Sequence, residues 1–178
     1  LLVAKQDACR VASIGPQVRY GSIDNPFDPR RGALGKMSLQ LSDPSIGAAS
    51  RFAVLGADLA QYFPIGGWVL ATNWKLRWGV MGNPTQDWYL LQKDIRPLGG
   101  DRSVRGYGSD SIGVPGRLVD SCGRFVAGDS DLLALHINSG NLSVLANVEM
   151  RVPLVGDLQG AVFSDAAMVT LIDGTDPV

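Results

Sequence analysis

Histidine and cysteine are the scarcest reactive residues in this chain: 178 residues hold one of the first and two of the second. His136 is accompanied by no Ser or Cys nucleophile motif, and LALHINSG around it reads as the edge of a loop, so an ordinary surface histidine is expected rather than a general base. Cys9 and Cys122 are far apart and match no metal-ligand spacing; a disulfide, two free thiols, or one of each remain open. No catalytic residue, metal or cofactor is expected, and the chain reads as a non-enzyme.

Charge imbalance is also lacking. Sixteen Lys and Arg stand against seventeen Asp and Glu, a formal net charge of −1, which provides neither a basic footprint for nucleic acid nor an acidic tail. No apolar run reaches the ~18 residues of a membrane-crossing helix, and LLVAKQDACR is not built like a signal peptide. Spanning β-strands remain open, because each needs only ~9–11 residues. The chain starts without Met and stops at DGTDPV, and a piece of a longer protein is expected.

Helical periodicity is poor: 22 glycines and 10 prolines are scattered throughout, and no window of a dozen residues keeps a 3.6 repeat. Period two is frequent instead. In GWVLATNWKLRWGV, residues Trp68, Leu70, Thr72, Trp74, Leu76, Trp78 and Val80 share one parity, and Asn73, Lys75, Arg77 and Gly79 the other. In NLSVLANVEMRVPL, Leu142, Val144, Ala146, Val148, Met150 and Val152 oppose Ser143, Asn147, Glu149 and Arg151. Similar alternation elsewhere predicts six strands, at roughly 10–22, 32–42, 51–64, 67–80, 142–154 and 158–170. DNPFDPRRG, SDPSIG, FPIGG and PLVGDL separate them as turn clusters, which suits antiparallel neighbours. The irregular segment 92–139 is too long for a simple hairpin loop and is expected to be functional.

Alternation suits either a soluble β-sandwich or part of a membrane barrel. Trp68, Trp74 and Trp78 on one face favour a lipid-facing strand whose polar partners line a wet lumen. Six strands would not close a transmembrane barrel, for which about eight is the usual minimum.

The long segment contains PLGGDRSVRGYGS. As a phosphate cradle it lacks G-x-x-x-x-G-K-[ST] and any following helix pattern, and GYGSDSIG does not fit G-x-G-x-x-G. Asp24, Asp28, Arg30 and Arg31 in DNPFDPRRG read as solvated turn formers. Asn141-Leu-Ser matches a glycosylation acceptor, a pattern too short to carry weight without a secretory context. On the residues alone, Arg105 would be an exposed loop arginine.

GGDRSVRGY resembles the Val-Arg-Gly-Phe/Tyr signature in the sixth surface loop of the outer-membrane protein insertase (bacterial surface antigen) superfamily, the BamA and TamA type of β-barrel assembly factor. DNPFDPRRG, NVEMRVPL and LQGAVFSDAA fall in that family's order, so the likeness spans about Gly15 to Ala167. It implies an all-β outer-membrane barrel of about sixteen strands, of which residues 1–178 supply roughly the eighth to the thirteenth. The early strands, the last three and the substrate-receiving periplasmic domains would lie outside the chain. The implied function is folding and insertion of other outer-membrane proteins, without a cofactor. Unfolded barrel proteins would be clients, with accessory assembly proteins and outer-membrane lipid as partners. A related two-partner secretion pore shares the loop signature and is the first alternative; a soluble β-sandwich binding module is the second.

The resemblance further implies that the loop folds into the barrel and that Arg105 pairs with Glu149 and Asp165 on the inner wall. Parity alone places Glu149 opposite Val148 and Met150, and Asp165 opposite Val162. Guanidinium suits the task because it is permanently charged, planar and able to bind two carboxylates at once. Gly99, Gly100, Gly106 and Gly108 would allow the sharp path, Val104 belongs to the signature, and Tyr107 would wedge against the wall. Ala167 stands where the family usually has glycine, and Cys122 lies in the loop after Tyr107; both depart from the pattern without touching the charged set.

Overall fold

The computed structural model describes residues 12–48, 51–82, 98–116, 136–138, 141–156, 158–170 and 172. Cys9 and Cys122 lie outside the described residues.

One antiparallel sheet of six strands dominates. In chain order the strands are β1 (Gln17–Ile23), β2 (Gly32–Ser42), β3 (Phe52–Ile65), β4 (Trp68–Met81), β7 (Leu142–Val155) and β8 (Leu158–Thr170), paired in that sequence. A short pair, β5 (Val114–Gly116) and β6 (His136–Asn138), forms a separate two-stranded sheet inside the long connection. The loop reading of His136 is therefore corrected: its backbone is a strand residue opposite Gly116. β3, β4 and β7 run 14 residues each, longer than the ~9–11 that a tilted strand needs to cross a bilayer.

Turn chemistry fixes the register. β3 and β4 pair to their last residues, Ile65 with Trp68, across Gly66-Gly67, and Gly66 takes a φ of 61° that favours glycine. β1 is shorter than the alternation predicts. Ile14 makes only an isolated bridge to Leu41, and Gly15 and Pro16 interrupt the ladder before Gln17. Proline has no N–H to donate, and a Cβ at Gly15 would lie 1.6 Å from the Leu39 carbonyl oxygen, so the chains touch there only because glycine is present.

The register sorts side chains into two faces. Arg19 lies opposite Lys36, Lys36 opposite Asp58, Asp58 opposite Lys75, and Asn73 opposite Asn147, which in turn faces Asp165. That face is polar, yet it also holds the buried apolar strand residues Phe52, Val54, Val69, Ala71 and Leu145. Apolar and polar residues thus separate less cleanly than parity suggests. The opposite face carries Val18, Tyr20, Met37, Leu39, Leu59, Trp68, Trp74, Trp78, Val162 and Met168, all substantially exposed. A soluble sandwich would cover its apolar face with a second sheet. Here the apolar face is bare and the buried residues lie on the polar one, the pattern of a lipid-facing wall around a wet interior.

The sheet curls enough to bring the turn between its first two strands to its last two. Asp28, in the turn between β1 and β2, lies 3.8 Å from Arg151 of β7, and its Oδ2 accepts a 3.5 Å hydrogen bond from Gln159 of β8. Asp28 is therefore more than the solvated turn former expected from sequence. Asp24 does hold the turn: its Oδ1 accepts the backbone N–H groups of Asn25 at 2.9 Å, Arg30 at 3.0 Å and Arg31 at 3.2 Å.

The N–H donors of Arg30 and Arg31 hold the Asp24 carboxyl below the usual carboxylate range. Because the folded pKa is depressed, the ordered turn should be complete above the unfolded-chain value of ~3.9 and lost as pH falls through the lower folded value. The amide shifts of Arg30 and Arg31, followed by NMR during acidification, should report this; an Asp24 midpoint at or above ~4 would contradict it.

Candidate functional site

The loop reaches the polar face at Ser103 to Arg105. Gly99 and Gly106 let it turn: their φ values are 123° and 87°, and a Cβ on Gly99 would lie 2.2 Å from the Gly108 carbonyl oxygen. The Gly100 N–H donates to the Tyr107 carbonyl at 3.1 Å, and the Ser103 Oγ accepts the Gly99 N–H at 2.7 Å, tying the loop to itself before it meets the wall. Val104 is 4% exposed and is the loop's apolar anchor.

Arg105 makes a two-pronged contact with Asp165: Nε donates to Oδ2 at 2.9 Å and Nη2 to Oδ1 at 2.8 Å. Its backbone N–H adds a third bond to Oδ2 at 2.9 Å, and Nη1 donates to Glu149 Oε2 at 2.8 Å. Asn147, not Glu149, stands directly across from Asp165. The two carboxylates are thus diagonal neighbours on β7 and β8, a separation of ~7–8 Å between backbones that one guanidinium can bridge. The Asp165 side chain is 3% exposed and that of Arg105 26%.

Several contributors have no signal as strong as the loop motif. Asn147 donates to Asp165 Oδ1 at 2.8 Å and to the Ser103 carbonyl at 2.7 Å, while Asn73 donates to Asn147 Oδ1 at 3.1 Å. Parity puts both asparagines on the polar face but does not link them to the loop. Phe163 lies under the guanidinium, 3.6 Å from Arg105 Cζ to the ring centroid, an apolar residue at an inward position. The wedge expected of Tyr107 is not there: Tyr107 is 60% exposed, beyond the turn at Gly106, and Phe163 provides the aromatic contact instead.

Glu149 serves two cations. Its Oε1 accepts from Arg151 Nε at 2.8 Å while Oε2 holds Arg105, and Arg151 extends to Asp28. Elsewhere on this face Arg77 and Asp58 form a separate pair, with Nη2 donating to Oδ2 at 2.9 Å. Trp68, Trp74 and Trp78 lie on the opposite, exposed face. Ala167 faces inward opposite Leu145. Asn141 is buried, its Nδ2 donating to the Ile172 carbonyl and its Oδ1 accepting the Ile172 N–H, both at 2.6 Å, so its amide is occupied in a structural role.

Such a set clamps. A permanently charged group is gripped by two carboxylates and an aromatic ring, which locks a loop onto two adjacent strands. Among the described residues, no group of three or more His, Cys, Asp or Glu side chains is placed to hold a metal ion. The family model described as the Omp85 superfamily domain matches residues 7–178. No curated protein is similar enough to the chain to be named as a relative.

Replacing Arg105 by Ala strands the Asp165 carboxylate with the Asn147 amide as its remaining side-chain donor, and removing one partner of a buried ion pair costs about 3–5 kcal/mol. Arg105→Lys should recover only part of that, because an ammonium cannot reproduce the planar fork. Thermal unfolding in detergent, followed by heat-modifiable gel mobility, should rank wild type above Lys and Lys above Ala. Equal midpoints for all three would show that the clamp adds no stability.

Proposed function

Because the chain belongs to the Omp85 superfamily, whose members insert or secrete polypeptides through β-barrels, we propose that it forms part of an assembly factor that folds and inserts β-barrel proteins into the outer membrane. The observation that carries this reading is the clamp of Arg105 on Asp165 and Glu149, which joins the signature loop to β7 and β8. An insertion machine works by presenting an open strand edge to a client, whose backbone N–H and C=O groups pair with it. Opening one seam is tolerable only if the rest of the wall stays intact. The clamp supplies that rigidity by tying two strands and the loop into one unit.

Unfolded outer-membrane proteins are the proposed clients, with accessory assembly proteins and membrane lipid as partners, and the outer membrane as the site of action. The bare apolar face with its three tryptophans supports the membrane setting. No covalent step is needed, since strand pairing and burial in lipid drive the client's insertion.

The test is depletion of the native protein in its host, complemented by wild type, Arg105→Ala, Glu149→Lys or Asp165→Lys. Wild type should restore growth and the heat-modifiable pool of outer-membrane barrels, and each variant should leave both reduced. Normal barrels on depletion, with loss of a single exported polypeptide, would replace the assembly reading by secretion.

A further inference from the structure

The polar face carries more positive charge than its ion pairs use. One step from the clamp row, toward the long-loop end of the sheet, the register lines up Arg19, Lys36, Asp58 and Lys75 across four consecutive strands. Neighbouring strands lie about 4.8 Å apart, so the four side chains form a row on the order of 15 Å long. Asp58, its one carboxylate, is taken by Arg77, with Nη1 2.7 Å from Oδ1. Among the described residues no carboxylate pairs with Arg19, Lys36 or Lys75.

Arg19 and Lys36 are also directly opposite each other, an arrangement that destabilises an antiparallel pair. Charges that gain nothing from one another are tolerated most readily where water and mobile counter-ions reach them. A cavity of about 800 Å³ opens in front of the Arg19 end of the row, bounded by Arg19, Leu34, Lys36, Asp58, Ala60 and Asn73, with Lys75 next in the row beyond its lining. The three cations lie within about one Debye length of their neighbours at physiological salt, so their potentials add. A low-dielectric wall behind them confines the field to the lumen.

We propose, building on the barrel reading above, that this row is an anion-attracting site on the lumen wall, and that the passage it lines favours small inorganic anions over cations. Rows of Lys and Arg select anions in pores by the same electrostatics.

The experiment is a planar lipid bilayer holding the full-length barrel, with chloride and potassium as the probe ions and a KCl gradient across the membrane. The reversal potential of wild type should show chloride more permeant than potassium. The double variant Lys36→Gln/Lys75→Gln should lower the chloride-to-potassium ratio by roughly threefold or more, as expected from removing a potential of about kT. Lys36→Arg/Lys75→Arg should keep the wild-type ratio. Arg51→Gln should keep it too, because Arg51 pairs with Asp43 beyond the strands. Cation selectivity in wild type, an unchanged ratio in the Gln double variant, or a heat-modifiable barrel that passes no ions would each overturn the proposal. Failure to form a heat-modifiable barrel at all would instead sink the barrel reading and the anion site with it.

Discussion

The carboxylate of Asp165 is almost wholly enclosed, and the structure around it depends on Arg105 being there. A buried charge is tolerable only when paired and hydrogen-bonded, and here it receives three bonds from one residue and a fourth from Asn147. The consequence is positional as much as energetic. Planar two-pronged contact fixes the guanidinium, the guanidinium fixes Ser103 to Gly106, and the Asn147 bond to the Ser103 carbonyl closes the circuit. Glu149 then passes the constraint through Arg151 to Asp28, in a turn far away in sequence.

The sheet itself obeys a different constraint. In hydrocarbon, every backbone N–H and C=O must find a partner, and a six-stranded open sheet leaves the outer edges of β1 and β8 unpaired among the described residues. Further strands must therefore meet those edges in a membrane. The wall's inner side is free to be polar, and it uses that freedom unevenly. Around the clamp, charges are paired and Asp165 is buried; one row along, Arg19 and Lys36 are left facing a cavity. Two neighbouring rows of the same wall thus do opposite things with charge.

Much of the architecture was legible beforehand because period two is a covalent property of extended chains. β2 and β8 keep the expected spans 32–42 and 158–170, and β3, β4 and β7 differ from their expected ends by one residue. β1 diverges most within the described residues, where Gly15-Pro16 ends the ladder despite suitable alternation at Ile14. β5 and β6 carry no such signal, because three residues are too few to show a period. The charged trio was legible for a different reason: Arg105 came from a loop signature, while Glu149 and Asp165 already shared the inward parity.

Phe163, Asn147 and Asp28 mark where that reasoning stops. An inward phenylalanine looks like an error in an alternating strand until a guanidinium is found stacked on it. The residues by themselves determined which side chains share a face of the sheet, since successive Cβ atoms must point to opposite sides of a strand. Only the tertiary structure decided which of the interior groups meet. Those meetings depend on cross-strand register and on the curl that carries Asp28 to Arg151, and neither is encoded in the spacing of any one segment.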